Sequence, residues 1–290
     1  MASLLTNCYI PLPSSHVFNN KSKAKSRPHA SRKRPPSELR KIYMDTRILS
    51  NADGSSVVEM GQTKVVVAVH GPRSFSASSS AYDSELFHEE GILNVDARFA
   101  LPFAIRPETV AMNQVVAVDG SSSSSSTTTQ TPEEIELSSR VYDAIFSSLV
   151  QPALNRLFKS VLDVHLVVLQ ADGGLTSACI VAVSLALADA GVELYDLVPS
   201  CSVAISSNNP GIVCLADPTE EEIDDADGIL TLAVLCSWNE VTFWNQSGRI
   251  SVEASSQAME MCKDGCINIH QCMRQCLLSK EKQQSIQSDK

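Results

Sequence analysis

KSVLDVHLVVLQADGGLTSACIVAVSLALADA, residues 159–190, is the stretch that decides the fold. Val164 to Leu169 is apolar and β-branched and reads as a strand. Ala171-Asp172-Gly173-Gly174 is a turn, because Asp-Gly tolerates left-handed backbone. Thr176 to Ala190 is a helix of small apolar residues, and Gly191 sits where a C′ glycine stops it.

Working outward, Ser37 to Pro107 reads as a β-rich half. Ile42 to Leu49 and Ser55 to Met60 are expected strands around the turn at Asn51 to Gly54. Thr63 to Val69, containing KVVVAV, has the continuous run of a strand buried on both faces, broken by Gly71-Pro72. Ile92 to Phe99 is a further strand. Thr131 can cap a helix with Pro132 at its first position and Glu133 and Glu134 in its first turn. Ile135, Val141, Ile145 and Leu149 would be its apolar face, and it is expected to reach about Lys159 with a kink near Pro152. Beyond the opening stretch, strands are expected near Val198 to Ile205, Ile212 to Leu215, Leu230 to Leu235 and Val241 to Trp244. A hairpin turn at Gln246 to Arg249 and a helix from Ser255 to about Lys280 close the chain. Strands and helices are mixed rather than alternating, which makes the class α+β.

Composition sets the boundaries. The first 36 residues hold seven Lys/Arg and no acidic residue, so of the net charge of −10 the remaining chain carries −17. That acidic body excludes broad non-specific nucleic-acid binding, which depends on neutralising phosphates. Residues 1–36 read as a disordered basic tail, residues 120–131 as a flexible Ser/Thr loop, and residues 281–290 as a polar tail around one domain at 37–280. The first twenty residues resemble a plastid transit peptide; Lys21 to Lys25 and Ser31-Arg-Lys-Arg34 could equally be a nuclear address or an RNA-touching tail, and such runs are most often solvated tails. No apolar run reaches the roughly 18–20 residues of a membrane span, so no membrane partner is expected. Cys179, Cys201, Cys214 and Cys236 lie in apolar stretches, as buried free thiols do, and no disulfide framework is expected. Cys262, Cys266, Cys272 and Cys276 fall within an arc of roughly 120° at about 100° per residue, with Ile269 and Met273 between them. They read as a core-facing stripe rather than a zinc site, which converges closer Cys pairs from turns.

Seven short motifs in order carry a family resemblance: Glu38-Leu39-Arg40-Lys41-Ile42, Asp53-Gly54-Ser55, Gly61-Gln62-Thr63-Lys64-Val65, Gly71-Pro72-Arg73, Arg98 to Phe103 (RFALPF), Leu187 to Val192 (LADAGV), and Asp217-Pro218-Thr219 followed by Glu220 to Glu222. Together they make Ser37 to Leu278 resemble an RNase PH-like domain of the kind found in the ring of the eukaryotic RNA exosome. The resemblance implies an RNase PH-like fold, that of ribosomal protein S5 domain 2: a mixed sheet packed with helices. It also implies a role in 3′-to-5′ RNA processing and degradation, ribosomal RNA included. The implied partners are other RNase PH-like ring subunits, RNA-binding cap subunits and RNA in the channel, in the nucleus, nucleolus and cytoplasm. Arg73 and Arg98 are the implied RNA contacts, with structural ion pairing as the equal alternative.

No catalytic residue, metal or cofactor is expected. Phosphorolysis needs a cation at the phosphate and carboxylates for a divalent metal. Active members resemble one another in carrying arginines just before and at the start of the long helix. Here that place holds Ser121 to Thr131, Pro132, Glu133 and Glu134, with Arg140 two turns on as a surface or partner contact. Active members also place two aspartates six residues apart; Asp217 plus six is Ile223. Asp217 with Glu221, or Asp224 with Asp227, reads as a solvated acidic loop. His70, His88 and His165 have no nucleophile motif beside them, and His165 reads as a core histidine. The alternatives left open are an active phosphate-dependent 3′-to-5′ exoribonuclease and a plastid RNA-processing factor.

Overall fold

The computed structural model describes residues 32, 34–74, 92–100, 130–150, 160–208 and 211–288. The Ser/Thr tract, His88, the end of the RFALPF motif and the segment around Pro152 lie outside these residues.

Five strands make the first sheet: β1 (Ile42–Thr46), β2 (Gly54–Met60), β3 (Thr63–Ser74), β4 (Ile92–Phe99) and β5 (Ser160–Gln170), in spatial order β1-β2-β3-β5-β4. All neighbours are antiparallel except β4 and β5, which run parallel. The helix α1 (Pro132–Phe146) lies between β4 and β5 in the chain, and α2 (Leu175–Asp189) follows β5. The second sheet is antiparallel, order β7-β6-β8-β9, from β6 (Ser200–Asn208), β7 (Gly211–Ala216), β8 (Gly228–Leu235) and β9 (Glu240–Gly248). A short α3 (Glu220–Asp224) joins β7 to β8, and α4 (Val252–Ser288) packs on β6, β7 and β8.

The α2 helix is the centre of the core. Ala178 to Val183 and Leu185 to Leu187 are fully buried, because α2 touches the first sheet, α1 and the second sheet at once. Its two buried hydroxyls are used: Ser177 donates to Gly174 O at 2.7 Å, and Ser184 accepts the Val198 amide at 2.9 Å. At its end Gly191 takes φ +74°, Val192 N–H bonds to Leu187 O and Gly191 N–H to Ala188 O. That is a Schellman stop at the glycine the sequence offered.

Several expectations need correction. β1 ends at Thr46, not Leu49, because Arg47 turns to φ +58° and the amides of Ile48 and Leu49 both donate to Ser55 Oγ. β3 is buried on one face only: Val65, Val67 and Val69 are inaccessible, while Val66, Ala68 and His70 are half-buried. Gly71-Pro72, a cis bond, does not end β3; its pairing with β5 shifts register there and resumes at Arg73. α1 ends at Phe146, and Ile135 is 54 % exposed, leaving Leu137, Val141, Ala144 and Ile145 as its buried face. No hairpin forms at Gln246 to Arg249, since β9 stays paired with β8 out to Gly248. α4 starts three residues earlier and runs through the expected tail to Ser288. In the cysteine stripe Cys262, Cys266, Ile269 and Met273 face the core, but Cys276 is half-buried and Cys272, at the arc's edge, is exposed. The Cys262 and Cys266 thiols donate to different carbonyls, Cys201 O and Leu232 O. The hydrogen bond with the Cys201 side chain, then burial, pushes the Cys262 thiol up in pKa, and burial does the same for Cys266.

Candidate functional site

Three of the seven motifs meet at one point, around the turn that opens α2. Arg40, from ELRKI, lays its guanidinium on Asp217: Nε to Oδ2 at 2.9 Å and Nη2 to Oδ1 at 2.6 Å, with the Arg40 amide adding 3.1 Å to Oδ2. The same guanidinium donates to Asp172 O and Gly173 O in the turn before α2. Thr63, from GQTKV, ties that turn down, donating to Gly173 O at 2.9 Å and accepting from the Asp172 amide at 3.1 Å. Gly173 has φ +69°, and a Cβ there would lie 2.4 Å from Pro218 O, so only glycine lets the two turns touch. Asp217 and Arg40 are each at least nine-tenths buried. A bidentate Arg–carboxylate pair of this kind is a fixed part of the fold.

The acidic loop is therefore solvated only in part: Asp217 and Glu222 are buried, while Glu220, Glu221 and Asp224 are exposed. Thr219 caps α3 in a capping box with Glu222, whose Oε2 accepts the Thr219 amide at 3.0 Å. That oxygen also meets Arg32 Nη1 at 3.1 Å and Arg34 Nη2 at 3.6 Å. Both Asp217 carboxylate oxygens and this oxygen of Glu222 face N–H donors. A divalent cation needs such oxygens free and unprotonated partners around them, so the turn does not fit a metal. Among the described residues no group of three or more His, Cys, Asp or Glu side chains is arranged to hold one.

The start of α1 is occupied in the same manner. Glu134 is buried, and its carboxylate closes the capping box by accepting the Thr131 amide at 2.7 Å while Oε1 takes the Phe99 amide at 2.9 Å. The helix end that could attract an anion thus carries its own carboxylate, from inside the fold. Glu133 stays exposed. Arg140 pairs with Glu136 one turn back at 2.5 Å, on the surface.

Arg73 and Arg98 stand on the outer face of the first sheet, both ion-paired. Arg73 meets Asp163, which also accepts from Asn94 Nδ2 at 3.1 Å. Arg98 Nε meets Asp96 at 3.0 Å on its own strand. His165, 46 % exposed at its side chain, lies between these pairs, 3.8 Å from Asp96 and with its ring 5.7 Å from that of His70. It faces outward, so the core-histidine expectation fails: alternation along β5 puts Val164 and Leu166 inside and His165 out.

Sequence reasoning missed the arginines that neutralise the acidic turn. Arg40 was visible as a motif residue but not as a partner for a carboxylate 177 residues away. Arg32 and Arg34 lay in a segment whose composition spoke only of a tail. Another pair went unnoticed: His270 Nε2 and Asp196 Oδ1, 3.1 Å apart, fasten α4 to the strand entry after α2. Burial alone would raise the Asp196 pKa, but hydrogen bonds from Ser237, His270 and Leu197 hold the carboxyl below its usual range.

Comparison with known proteins follows this geometry. The profile of the 3′ exoribonuclease family, domain 1 (RNase PH), matches residues 38–193. The exosome complex component MTR3 of Homo sapiens is 31% identical over 248 residues, covering 84% of this chain and 85% of that protein. The exosome complex component Rrp41 of Thermococcus gammatolerans is 30% identical over 244 residues, covering 84% and 86%. The crystal structure of rice (Oryza sativa) Rrp46 superposes with a TM-score of 0.63 at 19% identity, covering 83% of this chain and 97% of that one.

Proposed function

The chain belongs to the RNase PH family of 3′ exoribonucleases, and from that premise we propose that it is a non-catalytic subunit of an RNA exosome ring, supporting 3′-to-5′ RNA processing and degradation by shaping the RNA channel. One observation carries the reading. Every carboxylate the acidic turn could offer a metal at its buried end is engaged, by Arg40 at Asp217 and by Arg32, Arg34 and the capping box at Glu222. At the other place the reaction would need, the α1 N-terminus holds Glu134 instead of an arginine. Among the described residues neither phosphate nor metal finds a receptor at these two places, which supports a contribution of shape and partner contacts.

Its partners in this reading are other RNase PH-like ring subunits and RNA-binding caps, in the nucleus, nucleolus and cytoplasm. Arg73 and Arg98 are its RNA contacts. A phosphodiester reaching them shares each guanidinium with Asp163 or Asp96, which makes the contact weak and salt-sensitive. The domain runs to α4, with residues 120–131 as an insertion.

Gentle affinity purification from the chain's own cells with mass spectrometry tests the assembly. Related RNase PH-like subunits and caps in comparable amounts are expected; recovery alone or with plastid proteins overturns the ring role. Phosphate-dependent release of nucleoside diphosphates from RNA by the purified chain would overturn the non-catalytic part.

A further inference from the structure

The segment 32–38 wraps around its own arginine. The Arg32 side chain is 1% exposed, and its Nη2 lies 2.9–3.2 Å from the carbonyls of Pro35, Pro36, Glu38 and Ala216. Nη1 reaches Glu222 at 3.1 Å, Arg34 Nη2 reaches Asp217 O at 2.5 Å, and the Ala216 amide donates to Pro36 O at 2.8 Å. The segment is thus sewn to the end of β7 and to the first turn of α3. All but its last residue precede the region the family profile matches.

We propose that Arg32 and residues 34–38 are an arginine strap whose docking site is the Asp217–Glu222 turn, so that Arg32 and Arg34 are held by the fold and are not part of a free basic address. Three charges set the balance. Glu222 attracts both arginines, while Arg32 and Arg34 repel each other across a short gap; burial first, and Arg34 second, lower the Arg32 pKa. Arg32 Nε and Arg34 Nη1 are buried without acceptors, which works against the docked form. Docking therefore depends on the Glu222 charge and is released when that charge is removed. An address for a receptor with an acidic groove must be read from the basic residues before Arg32, or from the strap in its released form.

Glu222→Gln is the selective variant, because glutamine also serves at this position of a capping box and keeps α3 closed. The full chain and this variant are digested briefly with trypsin and the fragments sequenced from their N-termini. In the full chain, cuts after Lys21 to Lys25 come first and the Arg32–Lys33 bond is protected. In Glu222→Gln that bond is cut faster by about ten-fold or more, the loss of a buried charge partner being of that order or larger, while the body stays intact. Cleavage at Arg32 as fast as in the tail of the unaltered chain, or unchanged protection in the variant, overturns the strap. Should the variant not fold, amide exchange on the unaltered chain decides: the Ala216 amide must exchange as slowly as its β7 neighbours, and free-chain exchange there overturns the proposal.

Discussion

Around Asp217, Arg32, Arg34 and Arg40 meet Asp172, Asp217 and Glu222 almost out of water. On the outer face of the first sheet, Arg73 meets Asp163 and Arg98 meets Asp96. The two groups have the same chemistry, yet the Arg40 side chain is 6% exposed and that of Arg73 is 66% exposed. In the first group the carboxylates cannot turn to another cation, and the guanidiniums have no solvent to fall back on. In the second, both guanidiniums reach solvent, and Arg98 can exchange Asp96 for water or phosphate at little cost, while Asp163 beneath Arg73 is itself buried. Burial therefore separates an internal fastening from a surface able to meet a ligand.

Removing one partner from each group gives the largest expected contrast. Arg40→Ala strands Asp217 in the interior and should cost about 3–5 kcal/mol, whereas Arg98→Ala, whose partner Asp96 keeps its access to water, should cost about 0–1 kcal/mol. Denaturant titration of both variants reads the difference, and equal losses would erase the distinction drawn here. A second break lies at α1. Glu134→Ala leaves the amides of Thr131 and Phe99 without an acceptor and should cost about 1–2 kcal/mol, while Glu133→Ala, exposed beside it, should stay within about 0.5 kcal/mol.

The Asp196 and His270 pair is intermediate in exposure and sharpens the comparison through pH. A carboxyl held below its usual range binds fewer protons folded than unfolded. Its contribution is intact above the ordinary value of about 3.9 and is lost as pH falls through the folded value. Thermal melts across acid pH should steepen below about pH 4, and Asp196→Asn should flatten that slope without altering the profile above it. The smallest effect is expected from salt. Crosslinking of RNA at Arg73 and Arg98 in the purified assembly should fade as ionic strength rises, whereas the Arg40 pair, away from solvent, should leave the chain's stability nearly unchanged over the same range.

The elements were legible where the local signal was strong. Asp172 to Gly174 and Gly191 bracket α2 within a residue of the expected ends, and Thr131, Pro132 and Glu134 announced α1 by their capping pattern. The readings that failed were those that needed a neighbour. Ile135 belongs to a helical stripe by spacing, but nothing lies over it. Gln246 to Gly248 has turn composition, yet β8 continues alongside and keeps the strand paired. The seven motifs identified the family as a pattern without revealing what each residue does.

By itself the sequence determined the α+β class, the small-residue apolar helix between its glycine-marked ends, and the order of motifs that marks the family. These depend on periodicity, turn chemistry and caps, which act over a few residues. Only the tertiary structure decided the state of the charges. It brought Arg40 to Asp217, put Arg32 and Arg34 on Glu222, and left Arg73 and Arg98 outside. The physical reason is that an ion pair's effect depends on its distance and its exposure to water, and both are set by chain segments far apart in sequence.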